Sequence, residues 1–206
     1  MASSSHRRDC GRVIASLFFL STISCGGPEQ PSEGIAPVSP RSVAAFDLGK
    51  EPFHRQGDER WGSDRIGGSN ETLRGVGCTI SCVSMGLAVH GIETDPGALN
   101  RWLVANEGYT ERGWVKWDSV ELFTERAVRV VIPSEPSHER IERALEEGNP
   151  VITKIRLWSG VQHWVLIVGR DGTEYLIKDP LTRSVGLSEL SDFDSNVFSI
   201  RILEKR

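Results

Sequence analysis

"HWVLIVGRDGTEYLIKD", residues 163–179, holds two runs rich in β-branched and aromatic residues on either side of Arg170-Asp171-Gly172. Such runs favour extended backbone. A three-residue connection ending in glycine fits a type I turn followed by a left-handed residue, so the stretch reads as a β-hairpin. If Gly169 faces Thr173, six steps back along one run and six on along the other bring His163 opposite Asp179. Directly opposed side chains share a face with their Cβ atoms ~5 Å apart, close enough for imidazole and carboxylate to share a hydrogen bond. A two-residue loop would turn Asp179 to the other face.

The same period continues around the hairpin, in "PVITKIRL" (150–157) before it and "VFSIRIL" (197–203) after it, so the second half of the chain reads as an antiparallel sheet. Upstream the spacing is helical. Cys78 to His90 is apolar, free of proline and closed by Gly91, which predicts a buried helix. In "TDPGALNRWLVAN" (94–106), Thr94 or Asp95 caps a second helix with Pro96 in its first turn and Leu99, Trp102 and Leu103 on one face. Residues 118–127 and 137–147 read as two more, the latter turning Ile141, Ala144 and Leu145 inward. Helices followed by strands are the order of an α+β domain, with N-terminal helices packed on a C-terminal antiparallel sheet.

The whole chain of 206 residues is 38% hydrophobic and 25% charged, a composition that suits one soluble domain. A net charge of −4 with scattered Lys and Arg excludes a basic stripe and with it a nucleic-acid partner. His6, Arg7, Arg8 and Arg12 precede an apolar stretch from Val13 to Ile23 that is too short to span a bilayer, so residues 1–25 read as an export signal. Ser24-Cys25-Gly26-Gly27 resembles a bacterial lipobox with Thr22 in place of the usual leucine. The expectation is an exported protein, either a cell-envelope lipoprotein or secreted, that meets the membrane only through a lipid anchor at Cys25. Residues 26–43, rich in Pro, Gly and Ser, read as a flexible linker, and residues 44–206 as the folded domain.

With Cys10 inside the signal, Cys78 and Cys82 are the only thiols of that domain. A cysteine is a nucleophile only as thiolate, and a helix N-terminus is one setting that favours the anion. Cys78 stands at such an end, whereas Cys82 lies one turn further in among Val83, Met85 and Leu87 and reads as core packing. An i,i+4 pair in one helix is poorly directed for a disulfide. No second Cys or His pair follows to complete a zinc site, so neither metal nor cofactor is expected. A nucleophilic thiol also needs an oriented base. Of His54, His90, His138 and His163, only His163 comes with a facing carboxylate, Asp179; the others read as surface or cap residues.

Together "GCTISCVSMGLAVHG" (77–91), "QHWVLIVG" (162–169), "KDP" (178–180) and "QGDERWG" (56–62) resemble the papain-like cysteine peptidases, in the branch related to the bacteriocin double-glycine leader peptidases. The resemblance implies that Cys78 is the nucleophile, His163 the base and Asp179 the residue that orients it. It also implies that the Gln56 amide joins the Cys78 backbone N–H in the oxyanion hole. Because Gln56 stands 22 residues before Cys78, the intervening loop must fold back. The implied activity is hydrolysis of peptide bonds in a peptide or protein substrate through an acyl-enzyme. The alternatives are amide exchange by the same residues, as in a transglutaminase, and a non-catalytic peptide-binding module.

Overall fold

The computed structural model describes residues 33–49, 52–183 and 185–206. The expected export signal and lipobox, with Cys10 and Cys25, lie outside the described residues. In chain order the elements are β1 (Val38–Asp47), α1 (Leu73–Val76), α2 (Cys78–Val89), α3 (Pro96–Ala105), α4 (Trp117–Phe123) and β2 (Val128–Val131). They continue with α5 (His138–Glu146), β3 (Val151–Arg156), β4 (Gln162–Lys178), β5 (Ser188–Glu189), a 3-10 turn (Leu190–Phe193) and β6 (Ser199–Lys205). The mix of helices and antiparallel strands is the expected α+β class. The strands run in the order β1-β4-β3-β6-β2, with β5 against the end of β4.

Capping places the helices. Asp95 accepts a hydrogen bond from Ala98 N at 2.7 Å with Pro96 in the first turn of α3, and Ser137 accepts one from Arg140 N at 3.3 Å at the start of α5. Each cap satisfies an amide that the helix cannot, an effect worth about 1 kcal/mol. α4 stops four residues short of expectation, because Glu125 and Arg126 adopt φ of +51° and +65°. That bend leads directly into β2, a strand that propensity at 118–127 concealed.

Period-2 alternation then sorts the sheet into two cores. Leu166 and Val168 of β4, Ile152 of β3 and Leu203 of β6 meet α2, α3 and α4 on one face. Val165 and Ile167 of β4, with Val151, Ile155, Ile200 and Ile202, meet α5 and Leu190 on the other. The central α2 is buried nearly all round, which is why its apolar residues show no stripe. It can approach the sheet so closely because residue 86 is glycine: a Cβ there would lie 2.5 Å from Leu203 Cδ1.

The decisive stretch is continuous strand from Gln162 to Lys178. Laid straight, it would extend about 55 Å, yet the side chains of His163 and Asp179 touch at 2.6 Å. The segment therefore doubles back. Gly172, at φ +58° its single left-handed residue, marks the reversal where the turn was expected. The turn residues are extended because β1 pairs around them, with Asp47 facing Gly169, Phe46 facing Arg170 and Val43 facing Gly172.

That pairing moves the boundary of the folded part. The strand takes in Val38 to Val43, which the sequence reading assigned to the flexible linker, and Ile35 bridges Val197. No apolar period announces β1, because polar groups hold it. Buried Ser39 and exposed Arg41 both reach Glu142 of α5, which lies 3.5 Å from Arg170 Nη1.

Candidate active site

Cys78 is the first residue of α2 and is 9% exposed. The residue before it has to be glycine, since a Cβ at Gly77 would lie 2.4 Å from the Leu73 carbonyl oxygen. This tight step between α1 and α2 presents Cys78 at a helix N-terminus, where the first N–H groups have no intrahelical acceptor and carry partial positive charge.

His163 is delivered by β4, opposite Ile155 of β3, and is 2% exposed. Its Nε2 meets Asp179 Oδ1 at 2.6 Å, and its ring lies 6.1 Å from that of Phe193. Cys78 lies near enough to act on the charge of the ring. With Nε2 taken by the carboxylate, Nδ1 is the nitrogen left for the sulfur. Burial pushes the imidazole pKa down, but the hydrogen bond to Asp179 and the interaction with Cys78, reinforced by their charges, outweigh burial and raise it to about 9. The imidazolium is thus the form held at neutral pH. Asp179 accepts a second hydrogen bond from Leu181 N at 2.9 Å, which fixes the carboxylate from its own loop.

Gln56 is folded back between the segment that precedes Cys78 and the loop that follows Asp179. Its backbone N donates to Pro180 O at 3.1 Å, beside Asp179, and its side-chain Nε2 donates to Arg74 O at 2.8 Å, on the short helix leading to Cys78. One amide hydrogen is so used and one remains. The side-chain Oε1 is buried without a partner, a cost of about 1–3 kcal/mol.

The remaining candidates are separated from this cluster. Cys82 points to Trp164 O at 3.4 Å, and burial, then the charges of Cys78 and Asp179, raise its thiol pKa well above the ordinary value. Both cysteines are free of disulfides. His54 is buried rather than superficial, its Nδ1 meeting Ser84 Oγ at 2.9 Å, while His90 is the expected cap, the C-cap of α2, buried with its Nε2 meeting Leu203 O of β6 at 2.7 Å. Burial lowers the pKa of both, so they stay neutral. His138 stacks on Tyr175 and reaches its hydroxyl at 2.9 Å. Trp164 faces away from His163 and, with Trp117, flanks the Arg201 guanidinium, 5.3 Å from each ring.

A cleft of about 590 Å³ adjoins the cluster, bounded by residues 55–60, Arg74 and the 180–183 loop. No motif announced it, because its walls come from three separate parts of the chain.

The helices packed against an antiparallel sheet, with the thiol at a helix start and the imidazole on the doubled strand, define a member of the papain-like cysteine peptidase superfamily. More narrowly, the chain belongs to the peptidase C39-like family, whose profile matches residues 53–195, well over half of the chain. A solved protein from Bacillus anthracis described as a C39-like peptidase superposes with a TM-score of 0.54 at 17% identity. The match covers 80% of this chain and 99% of that one, and it bears on the fold alone. No curated protein matches the chain.

Proposed function

We propose that the protein is a cysteine peptidase that cleaves peptide bonds through an acyl-thioester on Cys78. The observation that carries this reading is the His163–Asp179 pair at 2.6 Å, with the Cys78 thiol at the start of α2 near enough to act on the ring. The Cys78 thiolate attacks the scissile carbonyl carbon. The oxyanion so formed is stabilised by the Cys78 N–H and the second amide hydrogen of Gln56. His163, as imidazolium, gives its proton to the leaving amine as the C–N bond breaks. Water then attacks the thioester and passes a proton to His163, the S–C bond breaks, and a carboxylic acid leaves. Asp179 keeps the ring in the orientation that serves both transfers.

The basic and apolar segments at residues 6–23 and the lipobox-like run at Cys25 support export to the cell envelope, where peptides or proteins are the substrates. The test is a peptidase assay of the chain beside Cys78→Ala and Cys82→Ala, with added amine nucleophiles to detect exchange. Cleavage abolished by Cys78→Ala and retained by Cys82→Ala is the expected result. An unreactive Cys78 together with unaltered peptides would leave only a binding module.

A further inference from the structure

The cleft beside the site is lined by charged side chains. Four arginines stand in its walls, Arg55, Arg60, Arg74 and Arg183, against Asp58 and Glu59. One of those acids is already neutralised. Arg60 grips Asp58 through Nε at 2.9 Å and Nη2 at 3.0 Å, and this grip holds the Asp58 carboxyl down at about 2. The pair is further fixed by the Arg60 guanidinium lying 4.3 Å above the Trp61 ring. That leaves three arginines, Arg55, Arg74 and Arg183, against Glu59 alone, so the lining carries an excess of positive charge.

Arg74 is the best placed of the three. Its backbone is clamped on both sides, since Arg74 N donates to Gly62 O at 2.9 Å and Arg74 O accepts from Gln56 Nε2 at 2.8 Å. Its guanidinium lies along two glycines of the 57–62 turn. A Cβ at Gly57 would come within 3.3 Å of Nη1, and one at Gly62 within 3.0 Å of Nη2. No ion pair or hydrogen bond to another described residue engages that guanidinium. An exposed planar fork beside bare backbone, with its donors uncommitted, suits bidentate capture of a carboxylate. The cleft is lined by Gln56 and by Pro180, the neighbour of Asp179, which puts it beside the proposed catalytic residues.

Resting on the peptidase reading, we infer that this cleft is a specificity subsite: Arg74, assisted by Arg55 and Arg183, selects substrates with a carboxylate a few residues from the scissile bond, from an Asp or Glu side chain or a free C-terminus. The test is a set of peptides in which a single Glu or Gln is walked over the four positions on either side of the scissile bond, each with a free or an amidated C-terminus.

One position should favour Glu over Gln about tenfold or more in kcat/KM, a ratio typical of a charge-assisted pair. The ratio should fall toward one in Arg74→Gln and shrink in high salt. If acidity is read only at the terminus, amidation replaces the Glu swap as the discriminating change, which supports the same subsite. Arg183→Gln, on an exposed loop, should lower the ratio as well and serves if Arg74→Gln does not fold. Equal treatment of Glu and Gln at every position, with no effect of amidation, overturns the subsite while leaving the peptidase intact. If nothing is cleaved, fluorescence anisotropy of the same peptides on Cys78→Ala decides: Arg-dependent preference for the acidic members upholds the subsite against a failed peptidase reading, and indifference removes both.

Discussion

His163 and Asp179 stand 16 positions apart in the chain and 2.6 Å apart in space, joined by a strand that reverses at Gly172. Their contact sets the protonation of the imidazole. A pKa raised to about 9 from an ordinary 6.5 means that folding favours the protonated ring. The sign follows: the resulting stability is complete below about 6.5 and is lost as pH rises through about 9. Urea melts taken from pH 6 to pH 10 should show this decline, and Asp179→Asn should flatten it. The same variant should lower kcat/KM by about 10²-fold or more through a misoriented ring. An unchanged pH profile would mean that the carboxylate does not govern His163.

Alkylation with iodoacetamide should modify Cys78 and spare Cys82 in the native protein. Cys82 is fully buried and its thiol pKa lies well above the ordinary range. Peptide mapping by mass spectrometry reads the result directly, and modification of Cys82 at the same rate would contradict the different settings of the two thiols.

Replacement of Gln56 by Ala should cut kcat about 10²–10³-fold with a much smaller change in KM, as expected of an oxyanion donor. Stability should change little, because the lost bond to the Arg74 carbonyl is offset by removal of the orphaned Oε1. A fall confined to KM would place Gln56 in ground-state binding instead.

Two glycines of the doubled strand should fail for different reasons. At Gly169 a Cβ would lie 2.3 Å from Phe46 O and 2.8 Å from Asp47 Cα, so Gly169→Ala has to push β1 away. At Gly172 the space is open, with Ser42 Oγ at 3.7 Å, and only the φ of +58° opposes a side chain. Gly172→Ala should therefore cost about 1 kcal/mol and Gly169→Ala clearly more, by urea unfolding.

Glu142 is 2% exposed among Ser39, Arg41 and Arg170. Removing the acid by Glu142→Ala leaves Arg170 as a buried charge without its partner and should cost about 3–5 kcal/mol. Thermal unfolding gives the measure, and a loss under 1 kcal/mol would show that the cluster adds nothing.

What the sequence made legible follows from how local each signal is. Asp95-Pro96 and Ser137 mark helix starts within a single turn, and Arg170-Asp171-Gly172 marks the reversal within three residues. These read correctly. The length of α4 misread because Glu125 and Arg126 close the helix in left-handed conformations, through bonds to Leu122 O and Glu121 O, that composition does not announce. The strand Val38–Asp47 was invisible because backbone pairing and an ionic cluster with α5 hold it, not an apolar face. The arginine cleft assembles only once residues 55–60, Arg74 and the 180–183 loop converge, so no window of sequence contains it. The burial of His54 and His90 is equally non-local, arising from contacts to Ser84 and Leu203.

The strand Val38–Asp47 also has a practical side. It covers the open border of the doubled strand from Gly169 to Glu174, a row of main-chain donors and acceptors that any extended peptide could copy. A chain trimmed at Ala44, where hydrophobicity alone would cut, bares much of that border at the reversal of the hairpin whose two arms lead to His163 and Asp179. Such a shortened protein should self-associate edge to edge, and its loss of activity would say nothing about the residues that do the chemistry.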